Sequence, residues 1–194
     1  MKRRETFATS GTRIKVRMFG GDALTDPADA IAMVEDGFRN GVAMGSVLPE
    51  GTEAPVFTVY AEKVPMGANL DRIQIIKGWV DAKGQTHETI TNVVWSGNRA
   101  ADANGNLPPV GNTVDLTTAA YTNDIGAAFL TGSWQDPSFD PSQRAFYYAR
   151  VLEIPTPRWT THDAVRNGLP LLPEVAAVIQ ERAWGSPIWY SPAN

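Results

Sequence analysis

The sequence predicts a mainly β fold: an antiparallel β-sandwich of the immunoglobulin-like or jelly-roll-like kind, with one short N-terminal helix and long loops. Three observations carry this. Six or more short runs rich in Val, Ile, Thr and aromatic residues recur along the chain. Turn signals separate them at intervals of about ten residues, the spacing of sandwich strands. One stretch near the start has the three-and-four spacing of an amphipathic helix.

Taken in order, residues 9–19 alternate, with Ile14, Val16 and Met18 on one side and Arg13, Lys15 and Arg17 on the other, which predicts a strand with one wet face ended by Gly20-Gly21. Asp26 is placed to cap a helix and Pro27 to occupy its first turn. Ile31, Val34 and Phe38 form its apolar stripe, and Asn40-Gly41 stops it. Residues 42–49 read as a loop or irregular edge strand. Residues 55–61 carry apolar side chains on both faces, which predicts a central strand. Residues 70–95 form the clearest element, a hairpin turning at Asp81-Ala82-Lys83-Gly84-Gln85, where Gly84 takes the left-handed conformation without a Cβ penalty. The register then sets Asp81 across from Gln85, Trp79 opposite His87, Ile76 opposite Ile90 and Ile73 opposite Val93.

Residues 96–112 hold the longest turn-rich segment, of a length that marks a functional or mobile loop. Residues 113–116 and 126–134 are further strand candidates. Asp136-Pro137 and Asp140-Pro141 bracket a tight loop before a strong strand over 144–154, which Pro155 and Pro157 break. Residues 162–181 read either as a short helix after Pro173 or as an extended arm. Pro187-Ile188-Trp189-Tyr190 predicts a last strand returning to the sheet edge.

Composition narrows the function classes. A chain of 194 residues with 43% hydrophobic content can bury a sizeable core. The net charge of -4, with both signs scattered, provides no basic field for nucleic acid, and the Lys2-Arg3-Arg4 cluster is short. The absence of cysteine removes disulfides, thiolate metal sites and cysteine nucleophiles, and leaves the compartment open. The first residues lack the apolar run of a signal peptide, and no window approaches the roughly 20 apolar residues of a membrane helix.

Candidate chemistry is sparse. His87 and His162 are the only histidines, and no His-x-His or Asp-x-His pair begins a metal centre. His162, next to Asp163, has the composition of a general base, but Trp159-Thr-Thr-His-Asp163 is also a good helix or turn start, and that reading outweighs the first. Asp102-Ala-Asn104-Gly105-Asn106 places oxygens at alternate positions as calcium loops do. Its glycine falls too early and no bidentate acid follows, so a simple Asn-Gly turn is the better reading. Six tryptophans with Tyr147 and Tyr148 suffice for a sugar-stacking platform, although core filling is the commoner use of such rings.

The blocks RRETFATSGTRI, LDRIQIIKGWVDAKGQTHE, DANGNLPPVGNTVD, DPSFDPSQRAFYYARVLEIPTPRW and IQERAWGSPIWY, in this order and covering most of the chain, resemble the C-terminal part of the proteins grouped as domain of unknown function 3604. That family is similar to the metal-dependent hydrolases of the polymerase-and-histidinol-phosphatase (PHP) kind. The resemblance implies that the metal-binding histidines and aspartates lie in an N-terminal α/β barrel-like domain and that none maps onto this chain. Residues 1–19 are then expected to be the last elements of that hydrolase domain, incorporated as a strand, and residues 20–194 the β-sandwich C-terminal domain. The expected function is a non-catalytic accessory domain packing on its catalytic partner, with no cofactor of its own and a divalent zinc, manganese or iron ion in the other domain. Arg144, Arg158, His162 and Asp163 are the candidates for contact with the substrate cleft, together with the 96–112 loop. The competing readings are a carbohydrate-binding module using surface tryptophans and a structural homo-oligomerisation domain.

Overall fold

The computed structural model describes residues 2–192. Alternation of buried and exposed side chains sorts the strands into two principal sheets. One is four-stranded and antiparallel, built from Lys15–Gly21 (β2), Val42–Ala43 (β3), Val56–Glu62 (β4) and Phe129–Gln135 (β7) in the order β3-β2-β4-β7. The other contains Phe7–Thr9 (β1), Leu70–Val80 (β5), Thr86–Trp95 (β6), Ala145–Glu153 (β8) and Arg182–Gly185 (β11) in the order β1-β11-β8-β5-β6. Its sixth strand, Ile188–Tyr190 (β12), also pairs with β8. Thr156–Pro157 (β9) and Val178–Ile179 (β10) make a separate two-stranded ribbon. The fold is thus the mainly β, sandwich-like arrangement that the strand spacing predicts.

The inner faces of the two sheets close on one core. Val16 and Met18 of β2 and Phe57 and Val59 of β4 meet Ile73 and Ile75 of β5 and Tyr147, Ala149 and Val151 of β8, all essentially buried. β4 is central, as its two-sided apolar pattern predicts, paired along its length with β2 and β7.

Several expectations need correction. The strand expected over 9–19 is two strands, β1 and β2. Between them Ser10 donates to the Glu181 carboxylate and Thr12 donates to Glu153 at 2.6 Å, so side chains take over from the ladder. The expected Ile73–Val93 pair is displaced by a β-bulge: Ile73 faces Val94 and Gln74 faces Asn92, leaving Val93 as the extra residue. Beyond the bulge, Ile76–Ile90 and Trp79–His87 pair as predicted, and Gly84 has φ +78. The short strand expected over 113–116 is a single bridge between Asp115 and Ala120, because the Asp115 carboxylate binds the Thr117 N–H and the hydroxyls of Thr117 and Thr118.

The helix Ala30–Asn40 (α1) is capped by Asp29, whose Oδ1 accepts the N–H groups of Ile31 and Ala32 at 2.9 and 2.8 Å. Asp26 instead accepts the hydroxyl of Ser133 on β7. The helix also faces differently from the expected stripe: Met33 and Gly37 point inward while Ile31 and Phe38 stand largely in water. Gly37 is required there: a Cβ would lie 2.3 Å from the Phe19 ring. A second helix, Trp159–Asn167 (α2), ends on left-handed Gly168, and residues 173–181 are the extended alternative rather than a helix.

A buried polar cluster joins the sheets. Lys77 on β5 donates to Asp136, just past β7, at 2.6 Å, and to the Ser138 carbonyl at 2.8 Å. Tyr147 on β8 donates to the same Asp136 oxygen at 2.7 Å, while the N–H and hydroxyl of Ser138 serve the other. Burial alone would raise the Asp136 carboxyl, but the Lys77, Tyr147 and Ser138 hydrogen bonds outweigh it and hold the group below the usual range. Burial first, then the bond to Asp136, pushes the Tyr147 phenol far up. Asp136→Ala strands the Lys77 ammonium in the core and is expected to cost about 3–5 kcal/mol in denaturant unfolding. Lys15→Ala, which breaks only the exposed pair with Glu62, is expected to cost less than about 1 kcal/mol.

Candidate functional site

Gly78 interrupts the run of large side chains on β5. Its register partner Phe146 on β8 lays its ring over the gap, so close that a Cβ on Gly78 would come within 2.3 Å of Phe146 Cζ. The same row continues to Trp189 on β12 and Glu88 on β6. Phe146 and Trp189 alternate with Tyr147 and Ile188, which fill the core, so this row lies on the face turned away from the four-stranded sheet. One row along, Val80 pairs with Thr86 and its N–H bonds the Arg144 carbonyl. Together these residues border a cavity of 480 Å³.

Trp79, packed against the core, stacks on His87 at 5.2 Å and 19° at the rim of this cavity. His87 Nε2 lies 2.9 Å from Asp81 Oδ2. That contact first, then the Gln85 N–H, holds the Asp81 carboxyl below its usual range. On the other side of the aromatic row Tyr148 stacks with Phe146 at 6.3 Å and 15°. Further along the same face Arg150 donates to Gln74, Gln74 to Asn92, and Asn92 to the Gly105 carbonyl, a polar ladder across three strands.

A family model described as protein of unknown function (DUF3604) matches residues 1–192. The chain belongs to the DUF3604 family. No curated protein and no solved structure matches it.

Of the residues singled out from the DUF3604 sequence, Arg144 lines the cavity. Arg158, His162 and Asp163 lie elsewhere, on and just before α2. His162 and Asp163 are exposed neighbours on a helix, where successive side chains diverge, and they share no hydrogen bond among the described residues. Among the described residues no three His, Asp or Glu side chains converge to hold a metal ion. The Asp102 carboxylate is occupied: Oδ1 accepts the N–H groups of Asn104 and Asn106, and Oδ2 the Asn106 amide. This bonding repeats that of Asp81 with Lys83 and Gln85, so the segment is a turn.

The 96–112 loop of this DUF3604 chain is pinned rather than loose. Arg99 donates to Asp71 Oδ1 at 2.6 Å and to the carbonyls of Ser96 and Pro108, while Trp95 donates to the Arg99 carbonyl. Gln180 closes the other side of buried Asp71 at 3.0 Å.

The tryptophans divide by strand parity. Trp134 joins Trp79 against the core, Trp189 borders the cavity, and Trp159 stands 69% exposed on α2. Phe146 and Glu88, which sequence reasoning passed over, complete the site. The mid-strand Gly78 was the available signal, since a glycine there marks a close approach.

One other group is strongly perturbed. Burial pushes the Glu153 carboxyl up to about 7; Glu181 adds to this, while the Thr12 hydroxyl and Lys63 oppose it. As pH rises from the ordinary 4.5 toward 7, the unfolded chain gives up this proton before the folded one. The stability that protonated Glu153 allows at acid pH is therefore lost as pH climbs through that window. Thermal unfolding of Glu153→Gln is expected to lack this decline and to exceed the parent Tm at pH 8 by several degrees, while at pH 4 the two converge.

Proposed function

We propose that this chain is the non-catalytic β-sandwich accessory domain, placed C-terminally, of a PHP-like metal-dependent hydrolase. Residues 1–19 lead from the catalytic domain into the sandwich, and the divalent metal belongs to that other domain. The observation that carries this reading is the surface of α2 and the arm after it. Trp159, Leu169 and Leu172 are 69, 62 and 52% exposed, beside Leu171 and Val175, and form a concentration of apolar side chains with Arg158, His162 and Asp163 among them. Such a patch rimmed by charge is suited to covering by another domain.

Two measurements test the proposal. The purified chain, assayed for phosphatase and esterase turnover with zinc, manganese or ferrous ion, is expected to show none; turnover abolished by His162→Ala would overturn the reading. In calorimetry against a hydrolase domain of the family supplied in trans, Trp159→Ser with Leu172→Ser is expected to weaken association at least about tenfold while altering the chain's own stability by under about 0.5 kcal/mol. Unchanged association would refute α2 as the docking element.

A further inference from the structure

The cavity over Gly78 lies apart from α2 and stands independently of the docking reading. Its floor is aromatic. Phe146 remains 38% exposed with its ring nearly parallel to that of Tyr148, and Trp189 borders the same hollow, held from beyond by the Arg4 guanidinium 4.8 Å from its ring. Gly78 matters to this floor, because any side chain there would displace the Phe146 ring that lies over it.

The flanks are polar. Glu88 and Thr86 stand on one side and Arg144 and Ser191 on the other, so acceptors and donors face each other across rings. Among the described residues, the Glu88 and Arg144 side chains form no ion pair or hydrogen bond with the protein. The volume, 480 Å³, falls in the range of small-molecule sites and is too small for a packed helix.

We infer that this cavity binds a saccharide. The C–H face of a pyranose ring lies on Phe146 and Trp189, with its hydroxyls donating to the Glu88 carboxylate and accepting from the Arg144 guanidinium. A purely apolar ligand would leave both charges desolvated and unmatched. A polyanion would meet Glu88 and a chain of net charge -4. A sugar has one apolar face and an equatorial edge of groups that both donate and accept, so it satisfies floor and flanks together.

Calorimetric titration of the chain with cello-, xylo-, manno- and chito-hexaose tests this. At least one is expected to bind with Kd between about 10 μM and 1 mM. Phe146→Ala should weaken that binding at least about tenfold and Glu88→Gln about three- to tenfold, whereas Trp159→Ser leaves it unchanged. Because Phe146 and Glu88 lie outside the core, circular dichroism of both variants should match the parent. No saturable heat from any sugar at about 10 mM, or binding indifferent to both cavity substitutions, overturns the proposal. Loss of hydrolase-domain association in Phe146→Ala, with no response to any sugar, would overturn it in favour of a protein contact.

Discussion

The Lys77–Asp136–Tyr147 cluster is the constraint on which the sandwich depends. An ammonium and a carboxylate taken out of water are each costly, and only mutual contact with further hydrogen bonds offsets that cost. Lys77 and Tyr147 stand on the neighbouring strands β5 and β8 of one sheet, and Asp136 follows the last strand of the other. The two layers can slide past each other on apolar side chains with little penalty, but not while a carboxylate carried by one must receive donors from two strands of the other. The cluster thus specifies alignment, where the surrounding Ile, Val and Phe side chains supply only adhesion.

The same alignment positions the outer surface. Tyr147 must point inward to reach Asp136, so Phe146 and Tyr148 must point outward on the alternating strand. The aromatic floor of the cavity is therefore a geometric corollary of the buried polar cluster. Away from this cavity, α2 and its arm expose apolar side chains that nothing in the described chain covers. The protein carries two distinct kinds of exposed apolar surface: a small ringed hollow with polar flanks, and the segment of Trp159, leucine and valine side chains along α2 and its arm.

How far this was legible in the sequence differs from element to element. The hairpin turn could be read because Gly84 and two-residue periodicity both report directly on backbone geometry. The bulge could not, since Val93 looks like any other strand residue. The start of α1 was misplaced at Asp26, because nothing in the letters shows that Ser133 on a distant strand engages that carboxylate and leaves Asp29 to cap the helix. Phe146-Tyr147-Tyr148 reads as three adjacent aromatics, and no pattern of letters distinguishes the one that enters the core from the two that leave it. Metal-ligand scarcity was plain from two histidines, while the raised pKa of Glu153 was hidden, because it arises from distant segments that bury it.

The bulge between Ile73 and Gln74 has a wider consequence. One end of the β5–β6 hairpin is held by Gly84 and Asp81, the other by the Ser96 N–H on the Asp71 carbonyl and by Arg99. These two anchors demand pairings that differ by one residue, and Val93 absorbs the mismatch. Carried unbroken from Ile73–Val94, the ladder would have brought Thr89 opposite Gly78 in place of Glu88, leaving the hollow without its carboxylate. A single unpaired valine thus works like a reading-frame correction in the ladder, letting each end of the ribbon change in length or sequence without scrambling the chemistry presented at the other.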